Sequence, residues 1–348
     1  MRVLITGASG FIGSHVCEEL ARGGARVRAY CRHEPPAAAG ADEWVRGDVT
    51  DRPALARAAR GCDAAVHAAA LYSYDRRATA EMEAINVGGT RALLDACAGA
   101  GVRRVAVTSS SATCGPVPGR PATEEDGPPE WELRVPYKRT KLAAEHLALA
   151  AAGRDGLEVV CVNPTTVVGE ADTRPTPSGQ LLRDLVQGRI DAYLHGGGIN
   201  VVSVLDVARG HALALERGRS GARYILGGDD LSLRDAFAIV LQAVGRRPPR
   251  WPLPWAPIYG LAVAADLVGR LTGHPPRMLN RDEVLLSRVP LHFSSDRARR
   301  ELGYEPRPAA EALTAAARWF AQRSAEHAAA GGASPLGRRP AGRPLASP

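Results

Sequence analysis

A glycine-rich turn near the amino end constrains the fold of this chain more than any other feature. The apolar run 2–6 reads as a strand, and residues 11–22 have helical periodicity. Between them, glycines permit a tight turn, a close backbone approach to a pyrophosphate, and close helix–sheet packing. Free N–H groups and the positive helix dipole would hold the phosphates. The pattern predicts a dinucleotide-binding turn rather than a plain tight turn, formed by Gly7, Ser9, Gly10, Phe11, Ile12 and Gly13.

Strand-like and helical runs alternate through the first 165 residues. Predicted strands fall at 2–6, 26–31, 43–46, 63–68, 103–109 and 157–163. Predicted helices fall at 11–22, 53–60, 79–99 and 136–152. This order is typical of an α/β fold with a parallel sheet covered on both faces. We therefore predict a Rossmann doubly wound parallel sheet over residues 1–165, an NAD(P)-binding domain to which 199–226 returns.

The pattern loosens after Pro164. Prolines and glycines interrupt the chain before a predicted strand at 200–204, which leads into a helix opened by Asp206. Ser232 is a predicted cap of a helix at 233–244. We predict a smaller, mixed C-terminal substrate-binding domain made of 166–198 and 227–322. Residues 325–348 lack periodicity and are rich in Ala, Gly, Pro and Arg, so we expect a disordered tail.

Composition narrows the classes of partner. The net charge is +7 and the pI about 9.3, but the arginines are evenly spread and aromatics make up only 5%. Nucleic acid is therefore not expected as a partner. Six cysteines without a CxxC motif indicate reduced thiols, and the chain opens on a strand rather than a signal peptide, so we expect a cytoplasmic protein. Nine scattered histidines offer no metal-binding spacing.

One later segment is fairly apolar. Residues 251–271 contain few charges, but Pro252, Pro254, Pro257 and Asp266 argue against a membrane-spanning helix. We expect either a wall or lid of the substrate domain, or a contact with a membrane surface.

The chain contains only two lysines, Lys138 and Lys141, and the second stands four residues after Tyr137. On a helix these positions share a face. A nearby ammonium would lower the pKa of the phenol, and a change of about three pKa units requires about 4 kcal/mol. The pair therefore predicts a tyrosine that acts as an acid or base.

The end of the second predicted strand bears on the cofactor. NAD(H) binders usually place an acid there, whereas NADP(H) binders place an arginine near the 2′-phosphate. This chain has Cys31 followed by Arg32, although Glu34 could replace the missing acid. We favour NADP(H) over NAD(H).

Three motifs together resemble the extended short-chain dehydrogenase/reductases, the NAD-dependent epimerase/dehydratase family. They are the glycine turn after Thr6, Ser109-Ser110-Ser111 closing a strand, and Tyr137-x-x-x-Lys141 opening a helix. The resemblance extends to about residue 322. It is nearest to the hopanoid-associated sugar epimerase and dihydroflavonol reductase-like branch, through Pro175-Thr176-Pro177-Ser178-Gly179, Ala214-Leu215-Glu216-Arg217-Gly218-Arg219 and Tyr224-Ile225-Leu226-Gly227-Gly228.

The resemblance implies roles for particular residues. Tyr137 would be the acid/base, Lys141 its activator and ribose ligand, and Ser110 the hydroxyl that orients the reacting oxygen, with Ser111 as the alternative. Asp48, followed by Val49, would bond the adenine amino group, although Asp48 could instead cap the helix 53–60. Further residues are implied beside the cofactor or substrate: Ala68, Ala69, Asn163, Pro164 and Thr166.

Two departures from the family's better-known members narrow the reaction. Sugar dehydratases place an Asp-Glu pair after the active hydroxyl, where this chain has Ser111-Ala112. Nucleotide-sugar epimerases usually carry an Arg-Asp-Tyr segment where this chain reads Gly198-Ile199-Asn200-Val201-Val202-Ser203. We therefore expect an oxidoreductase that interconverts a ketone and a secondary alcohol of a lipid- or polyol-type small molecule.

Alternatives remain open. One is a sugar epimerase of the hopanoid-associated type that retains NAD, and the other is a non-catalytic NADP-sensing regulator. A homodimer through helices 79–99 and 136–152 is a further option. Outside these motifs, His67 and His146 are expected to be packed in the core, and Glu124-Glu125-Asp126 to form a solvated loop.

Overall fold

The structure is a computed structural model that describes residues 1–33, 40–73, 76–249, 251–272 and 281–329. Its strands are β1 (Arg2–Thr6), β2 (Arg26–Cys31), β3 (Glu43–Arg46), β4 (Ala64–His67), β5 (Arg104–Thr108), β6 (Glu158–Pro164), β7 (Thr166–Val168), β8 (Ala192–Leu194), β9 (Gly198–Ser203), β10 (Arg223–Leu226), β11 (Asp229–Ser232) and β12 (Trp251–Leu253). Its α-helices are α1 (Phe11–Arg22), α2 (Arg52–Ala59), α3 (Thr79–Met82), α4 (Gly89–Ala100), α5 (Pro136–Ala151), α6 (Pro177–Val186), α7 (Val204–Arg217), α8 (Leu233–Ala243), α9 (Trp255–Thr272), α10 (Arg281–Leu286), α11 (Asp296–Leu302) and α12 (Ala309–Ala329).

Seven parallel strands form the main sheet, in the order β10-β6-β5-β4-β1-β2-β3. Apolar clusters cover both faces, and alternate residues of β1 serve opposite sides: Val3 and Ile5 pack on one face, Leu4 on the other. The strand order reverses between β1 and β4, which opens a crevice at the carboxyl ends of the strands. This confirms the predicted Rossmann sheet.

The predicted elements of the first 165 residues match the structure within one or two residues, with one exception. The predicted helix 79–99 is interrupted by a π-helical segment at Glu83–Gly88, between α3 and α4. Such segments are rare and frequently occur at functional sites.

The chain crosses between sheets more than once after Pro164. The strand predicted near residue 200 is β9, but it lies in a separate three-stranded sheet, β11-β9-β7, rather than returning to the main sheet. What returns from 199–226 is α7, which packs against α1, and β10, which pairs with β6. Helix α7 is capped by Ser203, whose hydroxyl accepts a hydrogen bond from Leu205 N, rather than by Asp206. The division into two domains remains our proposal.

The last helix, α12, continues through residues 325–329, so the predicted disorder does not begin at 325. The rest of the predicted tail lies outside the described residues.

Helix α9 occupies most of the apolar segment 251–271. Pro257 falls in its first turn, where proline disturbs a helix least, so it does not break the helix. The helix buries Ala262 and leaves Leu261, Leu267, Val268 and Leu271 exposed. Within the described ranges, every helix is too short or too polar to cross a membrane.

Candidate active site

The main sheet and α5 bring the predicted serine and tyrosine together. Ser110 follows β5 in an extended conformation, and its hydroxyl accepts a hydrogen bond from Ala112 N at 3.2 Å. Tyr137 stands at the second position of α5, close enough to the Ser110 side chain for that side chain to act on the pKa of its phenol. Ser111, the alternative, is buried at the start of a short 3-10 turn. The geometry therefore favours Ser110 over Ser111 as the partner of the phenol.

Tyr137 is half-buried, and its surroundings raise the pKa of its phenol instead of lowering it. Its ring lies against that of Tyr72, with centroids 3.9 Å apart and planes 44° apart. Burial raises the pKa of Tyr137 to about 12, and the side chain of Ser110 lowers it only in part. The expected lowering of the phenol pKa is thus wrong for this structure, because desolvation dominates. Tyr137 is protonated at neutral pH.

Lys141 lies one turn further along α5 and is 6% exposed. Its ammonium donates a hydrogen bond to the Thr108 carbonyl at 2.7 Å, at the carboxyl end of β5. Burial lowers the pKa of Lys141 to about 8, while the carboxylate of Glu145 acts in the opposite direction. A lysine in this setting can change its charge near physiological pH, which an arginine cannot do.

A buried polar cluster behind these residues escaped the sequence reasoning. Glu145 is 1% exposed, and its carboxylate accepts hydrogen bonds from Arg223 Nη1 at 2.7 Å and from Thr113 Oγ1 at 2.9 Å. The Asn163 amide also donates to Glu145 and, at 3.2 Å, to the Ser110 carbonyl. Tyr137, Lys141 and Glu145 follow one another at intervals of four residues, and this interval was the feature of the sequence that could have identified Glu145.

This cluster corrects the expectation that Asn163 contacts substrate. Its side chain is fully buried, and its amide nitrogen is committed to Ser110, Thr113 and Glu145. Asn163 therefore holds the Ser110 turn from behind. Of its neighbours, Pro164 ends β6 and the half-buried Thr166 begins β7, both at the carboxyl edge of the main sheet.

A second overlooked residue, Asn86, lies in the π-helical segment. Its carbonyl accepts a hydrogen bond from Leu71 N at 2.8 Å, and its amide donates to Leu71 O at 3.0 Å and to Thr140 Oγ1 at 3.1 Å. Asn86 thus ties the loop that carries Tyr72 to the helix that carries Tyr137. The sequence offered no signal for this contact, because it depends on the irregular helical turn.

The glycine turn forms a cradle closed by backbone. Gly7 has φ +73°, and a Cβ there would lie 2.7 Å from Ala69 N, so the predicted small residues Ala68 and Ala69 pack directly against the turn. A Cβ on Gly13 would overlap the Gly7 carbonyl oxygen. Gly10 precedes α1 and has no side chain to cap it, which leaves the helix start to a ligand. A dinucleotide pyrophosphate fits such a cradle.

Arg32 and Asp48, the two residues expected beside the adenosine part of the cofactor, lie near each other at the end of β2. Arg32 is exposed, and its Nε lies 3.9 Å from an oxygen of Asp48. The other Asp48 oxygen accepts hydrogen bonds from Thr50 N at 2.9 Å and Thr50 Oγ1 at 2.7 Å. Although burial acts to raise it, the pKa of Asp48 is lowered by these bonds and by Arg32.

The alternative role of Asp48 as a helix cap is wrong, because α2 is capped by Asp51, which accepts a hydrogen bond from Ala54 N at 3.0 Å. Val49 is buried beside Gly89. Glu34 lies outside the described residues.

Three peripheral expectations have mixed outcomes. His67 is buried as expected, between Thr6 Oγ1 at 2.7 Å and Thr90 Oγ1 at 3.0 Å, and burial lowers its pKa to about 3. His146 is exposed, so the expectation of core packing is wrong for it. Glu124 is buried and accepts a hydrogen bond from Ile225 N at 2.8 Å, so it is not part of a solvated loop. In the part of the chain that the structure describes, His, Cys, Asp and Glu form no cluster suited to a metal ion.

These features together define the class of the protein: a parallel doubly wound sheet, a glycine cradle where the strand order reverses, and a serine and a tyrosine beside a buried lysine. The class is that of the extended short-chain dehydrogenase/reductases, which includes oxidoreductases and epimerases. The chain belongs to the NAD dependent epimerase/dehydratase family, whose sequence profile matches residues 3–227.

Relatives of known sequence point the same way. The chain is 33% identical to the putative dihydroflavonol 4-reductase of Synechocystis sp. over 91% of its length and 93% of the relative's. It is also 33% identical to sterol demethylase protein B of Methylococcus capsulatus, over 93% and 99%.

Solved structures share the whole fold. The crystal structure of gox2253 matches with a TM-score of 0.80 and 40% identity, covering 92% of this chain and 98% of that one. MoeE5 in complex with UDP-glucose and NAD matches with a TM-score of 0.73 and 29% identity, covering 93% and 100%. The expected family is thus confirmed, and NAD is a cofactor of at least one similar protein.

Proposed function

We propose that the protein is an NADP(H)-dependent reductase that interconverts a ketone and a secondary alcohol on a lipid- or polyol-type small molecule. The observation that carries the proposal is the approach of the Ser110 and Tyr137 side chains at the carboxyl edge of the sheet, with Lys141 buried one turn away and bonded to the Thr108 carbonyl. Similarity to a putative dihydroflavonol 4-reductase and to a sterol-modifying protein supports a ketone or sterol-like substrate.

The residues at the site divide the work. A nicotinamide cofactor, when bound, supplies or accepts the hydride. Tyr137 is protonated because its pKa is about 12, so it can donate a proton to a carbonyl oxygen as negative charge develops there. The Ser110 hydroxyl orients that oxygen through a directed hydrogen bond. The ammonium of Lys141 lies on the same helical face as the phenolate left behind and stabilises it.

Segment 198–203 argues against a nucleotide-sugar substrate. Ser203 and Asn200 are the two residues of this segment with polar side chains. Asn200 is buried, and its amide donates hydrogen bonds to Asp230 at 2.6 Å and to Phe293 O at 3.2 Å. That amide is therefore engaged within the fold, and the segment contributes no cation to a diphosphate.

Replacing Tyr137 with Phe tests the proposal. Loss of the proton donor should lower kcat by about 10²- to 10⁴-fold, while nucleotide affinity changes little. Tyr72→Phe is the matched control, because it also removes a phenolic hydroxyl but keeps the ring that lies against Tyr137, and it should retain most of the activity. Ketone reduction at wild-type rate by Tyr137→Phe would refute the proposed role.

A sugar epimerase that retains NAD is the second candidate, favoured by the likeness to MoeE5 bound to UDP-glucose and NAD. Purified protein that carries tightly bound nucleotide and consumes no added NADPH would select it. A non-catalytic sensor of NADP is the third. A panel of aryl, steroid-like and sugar ketones tests it, since firm NADPH binding with no reduction of any member would favour a sensor.

We also propose that the exposed face of α9 contacts an anionic lipid surface. Leu261, Ala264, Leu267, Val268 and Leu271 share one side of this helix and are exposed, with no charged residue among them. The exposed Trp251 precedes the helix, and the guanidinium of exposed Arg288 lies 5.8 Å from the ring centre of Trp255. Exposed apolar, aromatic and basic groups together are typical of an interfacial helix.

Sedimentation with phosphatidylglycerol vesicles tests this contact. Wild type should pellet with the vesicles, and Leu267→Asp should not, while phosphatidylcholine vesicles should bind less. Wild type that stays in the supernatant but elutes as a dimer, and Leu267→Asp that elutes as a monomer, would instead assign the face to a second copy of the chain. A homodimer through α4 and α5 would persist in Leu267→Asp.

The cytoplasm remains our proposed location. All six cysteines are free and buried, which suits a reducing compartment.

A further inference from the structure

The segment Pro175-Thr176-Pro177-Ser178-Gly179 holds a loop in a fixed conformation beside the dinucleotide cradle. It opens α6, and it anchors the loop before that helix. The buried carboxylate of Asp172 accepts hydrogen bonds from Thr176 N, at 2.9 and 3.1 Å to its two oxygens, and from Thr176 Oγ1 at 2.7 Å. A Cβ on Gly179 would overlap Asp172 Oδ2, so only glycine permits this approach. The segment therefore fixes the conformation of the loop 169–176.

The other end of this loop is pinned against the dinucleotide cradle. A Cβ on Gly169 would lie 2.5 Å from Val204 Cγ1 and 3.6 Å from the ring of Phe11, the first residue of α1. The loop thus passes close to the start of the helix that would hold the cofactor phosphates.

Arg174 extends from this loop over the glycine turn. Its Nη2 donates a hydrogen bond to the Ser9 carbonyl at 3.2 Å, across 165 residues of sequence. Burial raises the pKa of Cys31, at the end of β2, and the charge of Arg174 acts to lower it. The guanidinium therefore lies on the glycine turn, near enough to the end of β2 for its charge to act on Cys31. Among the described residues it forms no ion pair.

We propose that Arg174 and Arg32 together bind the 2′-phosphate of NADP(H). The proposal rests on the proposed NADP(H) dependence and names the residues that would produce it. Two arginines near the end of β2 suit a phosphate dianion, because each guanidinium offers a planar fork of donors. The neutral Cys31 stands at the end of β2, where NAD(H) binders usually place an acid that would repel the phosphate.

The cofactor also contains a pyrophosphate, to which Arg174 could bind instead. Three adenine nucleotides distinguish binding to the 2′-phosphate from binding to the pyrophosphate. Adenosine 2′,5′-bisphosphate and 5′-AMP differ only in the 2′-phosphate, whereas ADP has a pyrophosphate and no 2′-phosphate. Their dissociation constants, measured by isothermal titration calorimetry, do not depend on turnover.

Wild type should bind adenosine 2′,5′-bisphosphate more tightly than 5′-AMP. Arg174→Gln should weaken the bisphosphate by about 10- to 100-fold, the range of one charge-assisted hydrogen-bonded contact, and leave ADP within about twofold. Arg174→Lys should recover part of the loss. Arg234→Gln, at an exposed arginine in the first turn of α8, is the matched control and should change neither constant.

Several results would overturn the proposal. An equal loss for ADP and the bisphosphate in Arg174→Gln would assign the arginine to the pyrophosphate. Unchanged binding of both ligands would remove it from the site. A wild type that does not distinguish the bisphosphate from 5′-AMP would instead refute the NADP(H) preference itself, and the two failures are therefore distinguishable. Thermal unfolding of each variant verifies that it is folded.

Discussion

The buried ammonium of Lys141 makes a prediction about stability that needs no substrate. Burial lowers the pKa of Lys141 to about 8, against an ordinary value of 10.5. Between these values the unfolded chain binds the proton and the folded chain releases it. The free energy of unfolding therefore rises with pH across this window, by about 1.4 kcal/mol per pH unit for this one group. The full shift corresponds to about 3 kcal/mol.

Replacing Lys141 with Met isolates this contribution. Methionine has a similar length and no charge, so the other titrating groups contribute equally to both proteins and cancel in the difference. The free energy of unfolding of wild type minus that of Lys141→Met should increase by about 2 kcal/mol from pH 6.5 to pH 9.5. Urea unfolding at several pH values, without nucleotide, measures it.

The result that would refute the reasoning is a difference that stays flat over this range. A flat difference would mean that the ammonium is solvated in the folded state, and the geometry at the Thr108 carbonyl would then need another explanation. The same pKa predicts a catalytic limb, since ketone reduction that depends on the Lys141 charge should fall as the pH rises through about 8. Lys141→Met should lack that limb.

Three further predictions concern the packing around the site. Gly13→Ala should destabilise the fold by about 1–3 kcal/mol and weaken nucleotide binding, because the added Cβ overlaps the Gly7 carbonyl oxygen. Gly99→Ala is the control: it has open space around it in α4 and should stabilise the fold by about 0.5–1 kcal/mol. Thermal unfolding compares the two variants. Glu145→Gln should cost about 1.5–3 kcal/mol in urea unfolding because the partly buried Arg223 guanidinium loses its carboxylate partner. A loss below about 1 kcal/mol, the range of an exposed pair, would contradict this reasoning. Asn86→Ala should accelerate hydrogen exchange at the Leu71 amide at least tenfold, and unchanged protection there would show that the loop is held by other contacts.

The parts of the fold that the sequence predicts are those in which neighbours along the chain settle the structure. Strand periodicity, helix periodicity and the glycine turn each depend on residues within a few positions, and the first 165 residues follow them closely. The sheet assignment of β9 did not follow, because its apolar run fits a strand in either sheet. Only long-range pairing with β7 and β11 decides between them.

The site shows the same division. The spacing of Tyr137 and Lys141 and the turn after β5 are local, and the sequence was sufficient to nominate them with Ser110. The pKa of Tyr137 could not be predicted, because its burial depends on residues from other parts of the chain, and the sequence did not show that the ring of Tyr72 lies against it. The contact of Arg174 with the glycine turn could not be predicted for a similar reason, because the two are far apart in the sequence.

The two lysines of α5 have different partners, and the difference explains why position 141 requires a lysine. Lys138 forms a direct, buried ion pair with Glu132, and this carboxylate opposes the lowering of its pKa by burial. Lys141 has a carbonyl as its hydrogen-bond partner, while the carboxylate that acts on its charge, that of Glu145, is paired with Arg223. A direct carboxylate on Lys141 would raise its pKa and consume the charge that the phenolate of Tyr137 requires. An arginine could not replace Lys141, because its guanidinium is larger than the ammonium that bonds the carbonyl and because it stays charged at this pH. The arrangement therefore leaves one buried cation structural and the other adjustable, on successive turns of a single helix.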